Sequence, residues 1–384
     1  MNKIKLSISI PYKQRLANIS IVFEALANQT MKSSEFEVII GAMEYSEEYL
    51  ALCQKFTNRI NIISVLSADE FSIPRARNLA MKQASGSVVV QMDADTLLPP
   101  TALQNLYDKH FAFGQNICVV GQVVGYGNNT DGDVEDVKTQ PYKKYKDAFT
   151  ELENSKENPR DPRFQVDHII PWAFGWTGLI ALPLATVHKH GLYFDEDFKG
   201  WGVEDLEWSY RICKNTIPIV LCKDVYAIHL PHKRNSAAYH KMGLENFRRF
   251  LRKWPYLDVE LVCAFNDIKA NELFLYFIND MRKVCGKEGN ILGIIHGPKQ
   301  GKDVLVVGTI LNEEYQVIDS SIKNFFDDWS RVEVLPLVGM ALPYLDKEVH
   351  ECFILPPVTQ LLDKFGEIIK EEIKRISNKV NFLI

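Results

Sequence analysis

The sequence predicts an α/β fold in which a mostly parallel sheet is covered by helices on both faces. Three observations predict it. Short β-rich runs alternate with helical patterns through the first 120 residues, at the spacing of βαβ units. Several of those runs are mostly apolar, as strands buried on both faces are. The chain has 384 residues, 46% hydrophobic and 24% charged, the balance of an ordinary globular protein with a large core and about two to three domains.

Residues 4–10 (IKLSISI) form the first strand and end at Pro11. A helix follows over 15–29, with Ile19, Val22, Phe23 and Leu26 on one face. The run 35–41 (EFEVIIG) is a second buried strand, 47–58 a helix, and 60–66 (INIISVL) a third strand. A helix at about 74–84 leads through Gly86 into the strand SVVVQ and then MDAD. The stretch 125–168 is polar, carries both charge signs and reads as a surface insertion or lid, with a short helix at 143–154. Apolar order resumes at 169–187, a helix spans 203–214, a strand 217–230 and a helix 239–253. From about 300 a strand–helix–strand pattern begins (DVLVVGTIL, EEYQVIDSSIKNFFDDW, RVEVLPLV), closed by an amphipathic helix over 359–376. That tail is either a separate subdomain or an extension of the sheet. The expected division is therefore a nucleotide-binding half at 1–124, an insertion at 125–168, an acceptor and catalytic half at 169–295, and a small α/β extension at 296–384.

Composition excludes several classes. Lys+Arg 44 against Asp+Glu 49 gives a net charge of −5, so no global basic field recruits nucleic acid. The cysteines, at 53, 118, 213, 222, 263, 285 and 352, include no pair at a two-residue gap and read as buried reduced thiols. The N-terminal apolar run is too short for a signal peptide, and no stretch reaches the roughly 18 apolar residues of a membrane span. A cytoplasmic protein is the expectation. The segment HGPKQGKD at 296–303 is one residue short of a phosphate-binding loop and has Asp303 where Ser or Thr belongs.

Three motifs carry chemistry. Asp93-Ala94-Asp95 follows a buried strand, where ligands bind an open α/β sheet and where paired carboxylates can hold a hard divalent cation. Gly200-Trp201-Gly202-Val203-Glu204-Asp205 opens a helix whose buried stripe is Val203, Leu206, Tyr210 and Cys213. Its acids stand in the first turn, either as ordinary helix-start residues or as a base held beside an aromatic ring. His229 and His232 follow a strand and are either structural or the completion of a metal shell begun by distant carboxylates.

In this order the motifs resemble the GT-A-fold glycosyltransferases of family 2, with the later pair similar to the C-terminal motif of β-1,4-galactosyltransferases and chondroitin polymerases. SISIPYK and Ile73-Pro74-Arg75-Ala76-Arg77-Asn78 are similar to further family segments, as is His229 with Lys233, Arg234 and Asn235. The resemblance covers roughly residues 4–235. It implies the GT-A fold, a Rossmann-like mixed sheet covered by helices. It implies that Asp95 and His229 ligate Mn²⁺ or Mg²⁺, with His232 as the fallback ligand, and that Asp93 lies at the ribose or near the metal. Pro11, Tyr12 and Arg15 would flank the nucleotide, and Arg77 would face the base or the diphosphate. Trp201 and Glu204 would shape the sugar and acceptor pocket, and Asp205 would be the general base. The family's acidic pair after the second strand is replaced here by Ala42-Met43-Glu44-Tyr45, which leaves Glu44 to contact the nucleotide.

The expected reaction is metal-dependent, inverting transfer of a hexose or N-acetylhexosamine from a UDP-sugar donor to a glycan or lipid-linked glycan acceptor. The alternatives are a retaining transferase and a silent domain that binds sugar nucleotide or glycan. The segment 247–254 (FRRFLRKW) mixes cations and aromatics and is either a peripheral membrane contact or a core helix with a solvated basic face. The C-terminal helix is either core or a homodimer contact.

Overall fold

The computed structural model describes residues 4–125, 140–154, 161–232 and 236–382. By internal packing the chain divides into two units, residues 1–166 with 171–246, and residues 167–170 with 247–384. The fourfold functional division at 124, 168 and 295 remains a proposal. Within the expected lid, residues 126–139 and 155–160 lie outside the described residues, as do Lys233, Arg234 and Asn235.

The first unit opens with β1 (Leu6–Tyr12), α1 (Leu16–Ala27), β2 (Phe36–Ala42), α2 (Glu47–Phe56), β3 (Ile62–Leu66) and α3 (Ile73–Met81). It continues through β4 (Val88–Met92), β5 (Thr96–Leu97), α4 (Ala102–His110), β6 (Cys118–Val124) and α5 (Tyr142–Asn154). Next come β7 (Leu179–Pro183), α6 (Leu184–His190), α7 (Glu204–Lys214), β8 (Ile219–His229) and α8 (Ser236–Lys253), within which the unit boundary falls. The eight strands form one sheet in the order β3-β2-β1-β4-β7-β6-β8-β5. The β1–β2, β1–β4, β2–β3 and β6–β8 pairs are parallel, while β7 runs antiparallel to β4 and β6, and β5 to β8. Every residue of β2 and of β4 is buried, because both faces of the sheet are covered.

Two local features set the carboxyl edge of this sheet. A Cβ on Gly41 would come 1.9 Å from the Ala76 carbonyl oxygen, so only glycine lets α3 lie this close to β2. Ser72 caps α3 by accepting from Arg75 N, with Pro74 in the first turn. The helix is thereby fixed with Arg77 buried. The second feature follows the polar insertion. Asp161 and Arg163 are fully buried, and Arg163 donates to the Phe174 and Gly121 carbonyls while Asp161 accepts from Val123 N at 2.9 Å. A buried pair is tolerated when its remaining polar atoms are satisfied in this way. Residues 161–164 therefore belong to the core, although the sequence places them in the insertion.

The second unit holds α9 (Leu257–Phe265), α10 (Asp267–Cys285), β9 (Ile291–Lys299), β10 (Lys302–Leu311), β11 (Glu333–Leu335), β12 (Val349–Ile354), α11 (Pro356–Thr359), α12 (Leu362–Ile376) and β13 (Ser377–Phe382). Its strands make a separate sheet, β11-β9-β10-β12-β13, so the tail does not extend the first sheet. The HGPKQGKD segment is the hairpin between β9 and β10, with Gln300 and Gly301 left-handed at its tip. The helix expected in EEYQVIDSSIKNFFDDW is a correction. Asp319 and Asp328 each accept the backbone N–H two residues on, at 2.9 Å, and leave two short 3₁₀ turns. Such side-chain bonds compete with helix formation. Glu260, fully buried on α9, accepts backbone N–H groups from Val338, Gly339, Met340 and Ala341 and clasps that loop.

In the segment 247–254, Phe250 and Leu251 are buried, so part of its apolar face is used for packing. No helix among the described residues is long and apolar enough to cross a membrane. All seven cysteines are free.

Candidate active site

The sheet brings the acidic motif and the histidines together by strand pairing. β5 pairs antiparallel with the end of β8, with Thr96 opposite His229, and Leu230 N donates to Asp95 O at 2.7 Å. Asp95 and His229 are thus fixed by backbone, 134 positions apart in the chain. Asp95 is 2% exposed. Its Oδ2 lies 3.2 Å from His232 Nδ1 and its Oδ1 3.6 Å from His229 Nε2. Oδ1 is buried and has no hydrogen-bond partner among the described residues. An orphaned buried carboxylate oxygen is costly, and one ligand atom from each of the three residues lies within 4.8 Å of the others. A carboxylate with two imidazoles suits a divalent transition metal. Arg15, just before α1, contacts Asp95 Oδ2 through Nη1.

A second cluster joins the other two acidic segments. The Arg77 guanidinium donates to Asp93 Oδ1 at 2.9 Å and to Glu204 Oε1 at 2.8 Å, and it lies 5.2 Å over the Phe194 ring. It is therefore held between two carboxylates. The bridge links the end of β4 to the start of α7. Asp205, next to Glu204, is half-buried, and its Oδ1 accepts from Leu206 N. Burial, then the Glu204 charge, push the Asp205 carboxyl up to about 7, with Arg77 pulling the other way.

The turn before α7 is strained. Gly200, Gly202 and Val203 all have positive φ, at 71°, 92° and 74°. A β-branched residue in this region is an outlier of the kind that collects at functional sites. Asn246, buried on α8, holds the turn by directing Nδ2 at the carbonyls of Lys199, Trp201 and Gly202, at 2.9, 3.3 and 2.9 Å. No motif marks Asn246 in the sequence. Trp201 is 42% exposed and stacks on Tyr239, with centroids 5.2 Å apart and planes at 15°.

Of the remaining expected residues, Tyr12 lies at the end of β1. Its ring is buried and stacks on Tyr49 at 4.3 Å, because alternation along β1 turns it into the core. Burial and then the charge of Glu44 raise its phenol above the usual range. Glu44 accepts from Gln14 N at 2.6 Å, and Met43 N donates to Tyr12 O, so the ends of β1 and β2 are tied together. Pro11 is half-buried beside Gly41 in that register.

The glycosyl transferase family 2 model matches residues 7–166. Validoxylamine A glucosyltransferase of Streptomyces hygroscopicus subsp. jinggangensis is 28% identical over 268 residues, 67% of this chain and 63% of that one. Chondroitin synthase of Escherichia coli is 24% identical over 222 residues, 54% and 32% of the two chains. This chain thus spans less than two thirds of the length of these relatives. Among solved structures, S. aureus TarS 1-349 in complex with UDP-GlcNAc superposes with a TM-score of 0.48 at 18% identity, over 74% of this chain and 77% of that one. The family match lies on the segment that supplies Pro11, Arg77, Asp93 and Asp95, and over that segment the chain is similar to the family 2 glycosyl transferases.

Proposed function

We propose that the chain transfers a hexose or N-acetylhexosamine from a UDP-sugar to a hydroxyl of a glycan or glycolipid acceptor, with inversion and with a divalent cation at Asp95, His229 and His232. The observation that carries this reading is the buried Asp95 carboxylate set between two imidazoles, with Oδ1 making no hydrogen bond. Two nitrogen ligands favour Mn²⁺ over Mg²⁺, which prefers an all-oxygen shell. When bound, such a cation offsets the charge gathering on the departing diphosphate.

The protein's own groups do the rest. Arg15 adds a guanidinium on the same side as Asp95 and binds diphosphate oxygens. Glu44, tethered at the end of β2, contacts the ribose or base. The Trp201–Tyr239 pair presents a flat apolar face to a sugar ring. Asp205 takes the proton of the acceptor hydroxyl as its oxygen bonds to the anomeric carbon and the bond to the diphosphate breaks. A carboxyl lifted to about 7 is matched to proton removal at neutral pH. Arg77 is a positioning residue, because it fixes Asp93 and Glu204 in one frame.

A panel of UDP- and GDP-sugars assayed for nucleotide release, with Mn²⁺ or with EDTA, tests the donor and the metal. Metal-dependent release from a UDP-sugar and an inverted anomeric signal by NMR are the expected results. Release that EDTA does not change, or a product of retained configuration, would contradict the corresponding part.

A further inference from the structure

Strand β8 leaves its register with β6 halfway along. Cys118–Gly121 pair with Ile219–Cys222 and Gln122–Val124 with Tyr226–Ile228, so residues 223–225 have no partner opposite. Excursions of this kind bend a strand and re-aim its side chains. Here the excursion brings Asp224 to the end of α4. His110 Nε2 lies 3.2 Å from Asp224 Oδ1, and its Nδ1 lies 3.8 Å from Cys222 Sγ. Cys222 Sγ also donates weakly to Val220 O, and Lys109 Nζ lies 3.1 Å from Asp224 Oδ2. One ligand atom from each of His110, Cys222 and Asp224 lies within 4.8 Å of the others.

Thiolate, imidazole and carboxylate together are a zinc-type ligand set, and three protein ligands leave a fourth position for water. Tetrahedral neighbours at zinc bond lengths stand about 3.3–3.7 Å apart, so closing the set takes shifts of up to about 1.5 Å. Cys222 is buried, while His110 and Asp224 keep side-chain exposure of 17% and 36%, which leaves them room to turn. The Lys109–Asp224 pair is half exposed and worth at most about 1 kcal/mol, so a cation displaces Lys109 readily. Asp224 also lines a cavity of about 270 Å³ with Gln122, Lys223 and Tyr226, a space large enough for water.

We propose that His110, Cys222 and Asp224 bind one zinc-type divalent cation, at a site separate from the Asp95 centre. Coordination sends the thiol proton to solvent. β8 carries Cys222 and Asp224 in its first half and His229 at its end, and α4, which ends at His110, begins shortly after Asp95. A cation here therefore ties together, at their other ends, the two segments that bear the ligands of the Asp95 centre.

Co²⁺ titration of the full chain tests the site, because a thiolate ligand gives Co²⁺ an intense near-ultraviolet charge-transfer band that an Asp-His-His set cannot give. One equivalent should produce the band in the wild type and in Asp95→Asn, and Zn²⁺ should abolish it. Cys222→Ser should abolish it too. His110→Gln and Asp224→Asn, both checked for folding by circular dichroism, should each weaken Co²⁺ binding by more than about tenfold. Absence of the band in the wild type, or its survival in Cys222→Ser, would overturn the proposal.

Discussion

Replacing Asn246 by Ala removes the side chain that faces the turn before α7 and leaves the backbone of α8 intact. An amide NH₂ has two hydrogens, so the bonds to Lys199 O and Gly202 O, both at 2.9 Å, are the ones made in full. Losing a buried partner costs about 1–3 kcal/mol. The turn it restrains holds Val203 at φ 74°, a strain also of about 1–3 kcal/mol. The restraint and the strain are thus of similar size, and without the restraint the native turn loses its dominance. A shift of about 1 Å at reacting groups costs about 10²-fold in rate. We therefore expect Asn246→Ala to lower stability by about 1–3 kcal/mol in denaturant unfolding, and to lower kcat by about 10²-fold. Nucleotide binding in the presence of Mn²⁺ should stay within about twofold, because the metal ligands stand on β5 and β8 rather than on this turn. Asn246→Asp, which sets a carboxylate against carbonyl oxygens, should be worse on both counts. An unchanged kcat alongside the stability loss would show that Asn246 does not position Glu204 and Asp205, and an equal fall in nucleotide affinity would point to general loosening.

Further outcomes follow from the same contacts. His229→Ala and His232→Ala should each weaken Mn²⁺ binding, read by paramagnetic resonance in the presence of UDP, by at least about tenfold; unaltered binding in either would remove that histidine from the shell. The pH profile of kcat/KM, which reports the free enzyme, should rise to a plateau above about 7 as Asp205 ionises, and a limb near 4 would contradict the raised carboxyl. The same shift has a stability sign. A carboxyl whose folded value stands above its unfolded one stabilises fully below about 4 and loses that contribution as pH rises through about 7. The melting temperature of the wild type relative to Asp205→Asn should therefore fall over that window. In the second unit, Glu260→Gln turns an amide NH₂ toward a backbone N–H where a carboxylate oxygen now accepts. It should cost about 1–3 kcal/mol, and an unchanged melting temperature would show that the clasp is not needed.

The first half of the sheet was legible because β2 and β4 are buried on both faces and read as largely apolar runs. The second unit was read less well. Asp319 and Asp328 divert a helix-like stretch into 3₁₀ turns through bonds that hydrophobic periodicity does not register. At the site, Asp95 and His229 could be named from the order of the motifs, but the Thr96–His229 register that joins them is a product of folding. Arg77 shows the limit most clearly. Its motif suggests a cation at the site, and only the fold shows that it bridges Asp93 and Glu204. Asn246 carried no sequence signal, since a single Asn in an amphipathic helix looks like any polar residue.

The central claim is that Asp205 acts as the base while Asp95, His229 and His232 hold the metal. Its most direct test is Asp205→Asn, with UDP binding in Mn²⁺ and sugar transfer measured on the same preparation. Asp205→Asn should bind UDP like the wild type and transfer sugar about 10²–10⁴-fold more slowly. Transfer at the wild-type rate would contradict the claim.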